Sequence, residues 1–557
     1  MLEPALHYLP EAYQTNAPKL MGRNAAGEAF MRAWLKHSTQ ATFRARVDNE
    51  QHAVAFRNTV HATRPDANAE AVTPQALHHL SKAGLLYYPG PDLAQSAWQR
   101  ALIGAERWSL CGVTHTTASA AAMDAITSWL SAPLQPWDAV ICTSSAVADT
   151  TRRVLEAQAQ HLTSRMGATR FTLPMLPVIP LGVHCEDFCI SPDERAQARQ
   201  ALGITEDCCV VLYVGRLSFH AKAHPLPMYL ALQEALARCA PGTQAMLIEC
   251  GWHANEAIAK AFDEAAKSAM PDVSHVSVDG RESALRRQAW AAADVFCSLS
   301  DNIQETFGLT PIEAMAAGLP CVVSDWNGYK DTVRHGIDGM RVPTCMPPAG
   351  DGVDLARSHA LGTINYDHYC GHASTSVAID IQACAEAFAA LFAQPALRAT
   401  MGQAAQARAR SVFDWAHVYR QYDELWQELS RRRVAAAAQY QQPAHPWPAR
   451  MEPHTAFAGY PSATLGEDTL LTLRAASVDE ALTQLASRAA LAMVRPFAGG
   501  PDEQALARHI LAACAAAPTR VKSLYELPGG HNPAAVRRRT IWLCKFGLLR
   551  ASPSDPR

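Results

Sequence analysis

Residues Ser298 to Pro320 read SLSDNIQETFGLTPIEAMAAGLP, and the fold class follows from how this stretch has to fold. The apolar run Asp294-Val-Phe-Cys-Ser-Leu leads into it and predicts a buried strand. A polar loop comes next, and Thr310-Pro311-Ile312-Glu313 has the pattern of a helix start. Thr310 suits the N-cap, Pro311 the first helical position where no backbone donor is needed, and Glu313 can close a capping box. Gly318 predicts the helix end, and Pro320 bars continuation. With Cys321-Val-Val-Ser as a further strand, the stretch is a strand, loop, helix, strand unit of an α/β sheet.

A loop and helix start at the carboxyl end of a parallel strand is where such sheets place anionic ligands, because free amides and the helix dipole point there. Gly308 lets a phosphate approach the backbone closely. Glu305 and Glu313 flank the same point, and a carboxylate does not favour a phosphate. Carboxylates here suit the hydroxyls of a sugar or a ribose. The pattern predicts a ligand with both phosphate and hydroxyls.

The Glu305/Glu313 pair, with Phe307-Gly308-Leu309 between and EAMAAGLPCVVSD after, resembles the donor-site signature of a known family. That family is the retaining nucleotide-sugar glycosyltransferases of the GT-B fold, family 4 (glycosyl transferases group 1). The resemblance covers roughly residues 20 to 430. It implies an α/β architecture of two Rossmann-like domains with a cleft between them. It also implies that Glu305 contacts the donor sugar, Glu313 the nucleotide ribose, and the amides of Gly308, Leu309 and Thr310 the diphosphate. Taken singly, Glu313 reads equally well as a capping carboxylate and Glu305 as a solvated loop charge.

At 557 residues the chain is too long for one core. Its 49% hydrophobic and 18% charged residues describe a globular protein rather than a disordered one. A net charge of −3 argues against a protein coated in nucleic acid. The Met1-Leu2-Glu3-Pro4 start lacks a basic region followed by an apolar run, so no signal peptide is expected. No apolar stretch reaches the roughly 18 residues of a spanning helix. The fifteen cysteines are scattered without a CxxC pair, which fits buried thiols in a reducing, cytoplasmic setting.

Strands are predicted over Thr42–Val47, Gly84–Tyr88, Trp108–Val113 and Asp138–Thr143, with helical segments between, which implies a parallel, doubly wound sheet. Before the first of them, Met21-Gly-Arg-Asn-Ala-Ala-Gly27 reads as a small-residue loop ahead of a helix over Glu28–His37. The resemblance puts Gly27 at the cleft. His115 follows the strand ending at Val113; a lone histidine there is ordinarily a structural hydrogen bonder, and the resemblance makes it a ligand contact. Leu176–Val183 reads as the last strand of the first domain, giving domain limits of 1–185 and 186–433.

The second domain opens with the apolar strand Cys208–Val214, followed by Gly215-Arg216-Leu217 and then Lys222. Two cations at the mouth of a parallel strand suit a diphosphate, the arginine as a fork and the lysine as a point charge. The family keeps such a pair for the leaving pyrophosphate; the bland alternative is a solvated basic loop. Strands are predicted over Gln244–Glu249 and His275–Val278, and the resemblance makes Asp279–Glu282 a base-contact loop. Gly328–Gly339 continues the family pattern. Pro347–Ser376 is longer than the usual connection and is expected to be a surface excursion. Helices are expected over Ile379–Phe392 and Pro395–Arg410, and Phe413–Leu429 resembles the helix that crosses back to the first domain.

Residues 434–455, rich in Ala, Gln and Pro, read as a linker. Residues 456–557, outside the resemblance, read as a small, mostly helical module. Its stretch 518–551 carries seven Lys/Arg against one Glu. A helix over Val521–Leu527, a Gly529-Gly530 turn and a helix from Asn532-Pro533 to Lys545 resemble a helix-turn-helix or winged helix. With a single basic helix in an acidic chain, a protein partner is expected here rather than nucleic acid.

The expected activity is transfer of a sugar from a nucleotide-sugar donor, with retention, to a sugar, lipid or protein acceptor, as in polysaccharide biosynthesis. The resemblance implies catalysis by Arg216, Lys222, Glu305 and His115, and donor binding at Gly27, Gly215, Phe307, Gly308, Leu309, Thr310 and Glu313. No metal or other cofactor is expected, since the histidines lack the spacing of a metal helix. A nucleotide-sugar epimerase, or a non-catalytic sensor acting through the C-terminal module, are the alternatives.

Overall fold

The computed structural model of the chain describes residues 2–14, 22–488 and 501–552. It divides into two units, Met1–Trp447 and Pro448–Arg557.

In the first unit, β1 (Ala5–His7), α1 (Gly22–His37), β2 (Thr42–Arg46), β3 (Asn68–Val72), β4 (Leu85–Tyr87), β5 (Ser109–Val113), β6 (Ala139–Ile141) and α2 (Ser145–Met166) come first. These strands form a parallel sheet in the order β3-β2-β1-β4-β5-β6. After α3 (Pro192–Ala201), a second parallel sheet is built from β7 (Cys208–Val214), β8 (Gln244–Gly251), β9 (Ser274–Asp279), β10 (Val295–Ser298), β11 (Cys321–Ser324) and β12 (Gly339–Val342). Helix α4 (Leu309–Ala316) joins β10 to β11. The order is β9-β8-β7-β10-β11-β12, the same winding as the first sheet. All seven residues of β7 are buried, as a strand covered by helices on both faces requires. Two Rossmann-like halves therefore make up this unit, in the GT-B arrangement.

Two strands and two helices follow β12: β13 (Thr344–Cys345), α5 (Val353–Ala360), α6 (Tyr366–Ser374) and β14 (Ala378–Ile379). Strands β13 and β14 pair antiparallel, Thr344 with Ile379, so residues 346–377 leave and return through one short stem. Helix α7 (Trp415–Ala437) then returns to the first sheet. Asp414 caps it through the Ala416 amide at 2.9 Å, and Trp415, Tyr422 and Trp426 bury themselves among Phe30, Tyr87 and Ile179. Past Arg433 the chain stays on this unit, with Trp447 stacked on Trp98 at 6.1 Å.

Three expectations change. Leu176–Val183 is extended but forms only isolated bridges, Val178 with Cys142 and Val183 with Asp414, with Met175 just before it bridging Ala139. Pro174, Pro177 and Pro180 have no amide to give, so a continuous ladder cannot form. The stretch from Gly22 to Gly27 is helical rather than a loop, since α1 already starts at Gly22; Met21 lies outside the described residues. At α4 the N-cap is Gly308, not Thr310, and no capping box forms.

In the second unit, β15 (Leu470–Leu473), α8 (Val478–Ser487), α9 (Pro501–Ala516), β16 (Thr519–Arg520), α10 (Pro533–Lys545) and β17 (Leu549–Ser552) enclose a core of Leu471, Ile510, Leu511, Leu524, Leu543 and Leu549. Strand β15 lies between β16 and β17, antiparallel to both. Val521–Glu526 is a 3₁₀ turn, and Asn532 caps α10 through the Ala534 amide. Much of the basic charge here is committed: Arg539 pairs with Glu503 at 2.6 Å, and Arg520 and Lys522 both face Asp468.

All fifteen cysteines are free, and most are buried. Among the described residues no helix is long and apolar enough to cross a membrane, and no group of His, Cys, Asp or Glu has metal-site geometry.

Candidate functional site

The strand order decides where a site can form. In each sheet the winding reverses between the first and fourth strands, and the crevice outside their carboxyl ends is left uncovered. In the second sheet those strands are β7 and β10. Gly215, Arg216 and Lys222 follow β7, while Gln304, Glu305 and Gly308 follow β10. Residues nearly 90 positions apart are thus brought to one crevice.

Lys222 Nζ lies 3.5 Å from Glu305 Oε2, the lysine about one-third exposed and the glutamate 13%. Glu305 Oε1 accepts from the amides of Thr306 and Phe307 at 3.2 and 3.4 Å, which holds the carboxylate at the turn. Arg216 Nη2 donates to Gln304 Oε1 at 3.2 Å. The two loops are tied together where Asn302 Nδ2 donates to the His220 carbonyl at 2.9 Å.

Gly308 sits at φ +86°, a conformation that side chains disfavour. A Cβ there would lie 2.1 Å from Cε1 of Tyr329, whose hydroxyl is 2.8 Å from Ser298 Oγ. With glycine at the N-cap no side chain caps α4, so its first amides, Leu309 and Thr310 among them, are open to an anion. Phe307 turns the other way: its ring is 1% exposed and packs 6.2 Å from Phe413. Only its backbone belongs to the loop.

Glu313, one turn into α4, is half-buried, and burial pushes its carboxyl up to about 7, with Arg286 opposing that shift. Asp301 is 3% exposed and likewise pushed up to about 7 by burial; its Oδ2 accepts from the His224 amide at 3.3 Å. A carboxyl that titrates near neutrality can switch between donating and accepting hydrogen bonds.

The first sheet supplies the facing wall. The His115 carbonyl accepts from Thr306 Oγ1 at 3.3 Å, and Ser144 Oγ donates to the Thr306 carbonyl at 2.7 Å. Asn327, in a left-handed conformation at φ 44°, donates through Nδ2 to the Glu305 carbonyl. The Ser145 amide, at the start of α2, donates to Asp331 at 2.6 Å. The Glu305 loop is therefore held from both sheets.

Arg216, Lys222, Glu305, Gly215 and Gly308 lie in the two loops at the switch point, and His115 reaches the Glu305 loop through its carbonyl. Gly27 stands apart. It lies inside α1, where the Ala12 carbonyl oxygen occupies the place of its missing Cβ at 1.9 Å, so it serves close packing. Sequence reasoning overlooked Ser144, Asn327 and Gln304. The Asn327-Gly328 turn and the Ser144-Ser145 pair after an apolar strand were readable signals; nothing marked Gln304.

Residues 208–356 match the family described as Glycosyl transferases group 1. The D-inositol 3-phosphate glycosyltransferase of Geodermatophilus obscurus is 30% identical over 255 residues, 42% of this chain and 52% of that protein. The phosphatidyl-myo-inositol mannosyltransferase of Mycobacterium leprae is 28% identical over 226 residues, 40% of this chain and 50% of that one. The chain spans about half the length of these curated relatives. The solved structure of Anabaena Alr3699/HepE in complex with UDP is 17% identical, with a TM-score of 0.48, covering 77% of this chain and all of that one. The matched segment, which supplies both loops of the switch point, is thus similar to the glycosyl transferases group 1, and the two parallel sheets have the GT-B architecture.

Proposed function

We propose that the protein transfers a sugar from a nucleotide-sugar donor to an acceptor with retention of anomeric configuration. The observation that carries this reading is the pairing, in one switch-point crevice, of two cations with an acidic loop and an uncapped helix start. Arg216 and Lys222 suit a diphosphate, and the first amides of α4 add donors on the same charge. Glu305 suits the sugar hydroxyls and Glu313 the ribose. The protein's contribution is then electrostatic: positive charge stands where the leaving diphosphate develops negative charge, and more strongly in the transition state than in the ground state. A β-phosphate oxygen takes the acceptor proton, so the reaction asks for neither a protein nucleophile nor a metal.

The relatives' names point to phosphorylated polyols and inositol lipids as acceptors to test beside sugars and proteins. The test is nucleotide release from UDP-, GDP- and ADP-linked sugars, without and with these acceptors. Release from one donor, abolished in Glu305→Ala and in Lys222→Ala with the fold retained, supports the reading. Full activity in either variant, with normal donor affinity, overturns the site. Tight donor binding without release under any acceptor favours the sensor.

A further inference from the structure

The connection between β13 and β14 is more than a surface excursion. Its second helix, α6, rests on both loops of the switch point. Gly371 packs against the Lys222 loop, where a Cβ would come 3.0 Å from Cβ of His220. Tyr366 reaches the Glu305 loop, its hydroxyl accepting from Gln304 Nε2 at 3.2 Å. Gln304 Oε1 in turn accepts from Arg216 Nη2 at 3.2 Å.

The orientation of this amide is not free. A guanidinium only donates, so the oxygen of Gln304 must face Arg216 and the nitrogen must face Tyr366. A flip would set donor against donor at Arg216. The guanidinium thus fixes the amide orientation, and the tyrosine hydroxyl, half-buried on α6, anchors the amide by accepting from its nitrogen.

We propose that residues 346–377 form a positioning arm, in which Tyr366 acts through Gln304 to orient Arg216 toward a donor diphosphate. This rests on the reading of the crevice as a diphosphate site. Tyr366 and Gln304 are positioning residues: their removal loosens the arginine without removing its charge. The consequence falls on the second phosphate and leaves the nucleoside untouched.

The experiment uses the full-length protein and the mono- and diphosphates of uridine, guanosine and adenosine. The base that binds most tightly is then used to compare wild type, Tyr366→Phe, Gln304→Leu and the double variant. The readout is the ratio of monophosphate to diphosphate Kd, with melting temperature measured alongside. Each single variant should lower the preference for diphosphate by about three- to tenfold, the size of one lost hydrogen bond. The double variant should lower it no further than Gln304→Leu alone, because the two side chains act in series. The monophosphate Kd should stay within about twofold and the melting temperature within about 2 °C. An unchanged preference in Tyr366→Phe, or additive losses in the double variant, overturns the arm. Nucleotide release with an unshifted preference would refute the arm and leave the transferase; a shifted preference without release from any donor would do the reverse.

Discussion

Gly308→Ala tests the Glu305 loop most sharply, because two separable costs can be worked out for it. The backbone cost comes from holding a side chain at φ +86°, ψ 92°, about 1–3 kcal/mol for such a conformation. The packing cost comes from Tyr329. The new Cβ would lie 2.1 Å from Cε1 and 2.8 Å from Cδ1, where carbon atoms ordinarily stand about 3.5–4.0 Å apart. Tyr329 is 2% exposed and its hydroxyl is held by Ser298, so the ring cannot swing into solvent. Overpacking of this kind costs about 1–3 kcal/mol. The sum is about 2–6 kcal/mol. Urea unfolding of Gly308→Ala, Tyr329→Ala and the double variant separates the two parts. Tyr329→Ala alone should cost about 3–5 kcal/mol through the cavity it leaves. Adding Gly308→Ala in that background should cost only the backbone part, so the double variant is more stable than additivity predicts by about 1–3 kcal/mol. If Gly308→Ala costs the same in both backgrounds, or less than about 0.5 kcal/mol in either, the contact with Tyr329 does not hold the loop.

Two further sites probe buried charge. Arg100 and Asp138 are both 0% exposed and paired at 2.6 and 2.7 Å, and Asp138 also accepts from the Leu110 and Gln135 amides. Asp138→Ala should destabilise by about 3–5 kcal/mol in urea unfolding, by stranding the guanidinium, and Arg100→Met with Asp138→Leu should cost less; a milder single than double variant would contradict this. Asp301, with its carboxyl pushed up to about 7 by burial, binds a proton in the folded state that the unfolded chain releases near pH 4. Stability should therefore fall as pH rises from about 4 to 7, and Asp301→Asn should flatten that slope and exceed wild type at pH 8. Equal unfolding midpoints at pH 5 and pH 8 in both proteins would refute the shift.

The second sheet was readable because its strands and its site share one stretch. Val295–Ser298, α4 and Cys321–Ser324 fall where hydrophobic runs and turn residues put them, and the Gly318 stop matches its left-handed φ of +81°. Helix starts were harder. Thr310 and Glu313 have the composition of a capping box, yet the helix begins at Leu309, because Gly308 takes up a turn that no other residue accommodates over Tyr329. The error is one of scale: a capping pattern is local, and the ring that overrides it, Tyr329, lies 21 positions after Gly308. The prolines of 174–180 had the opposite effect, since they mark a crossover by composition while removing the amides that a strand would need.

What stayed out of reach is the part of the site made by side chains meeting across the fold. Arg216, Gln304 and Tyr366 form one hydrogen-bonded chain, but they come from three segments, and each is unremarkable where it stands in the sequence. The same holds for Ser144 and Thr306, which join loops of two different sheets. A winding rule does narrow the search. Both sheets reverse between their first and fourth strands, so the residues just past β7 and β10 must share a crevice whatever their identity. Topology therefore predicts that Arg216 and Glu305 are neighbours before any contact is measured. It cannot predict that α6 bears on them, because α6 belongs to a connection whose path no strand order dictates. That division, between residues placed by winding and residues placed by an added helix, separates the charges of the site from the groups that orient them.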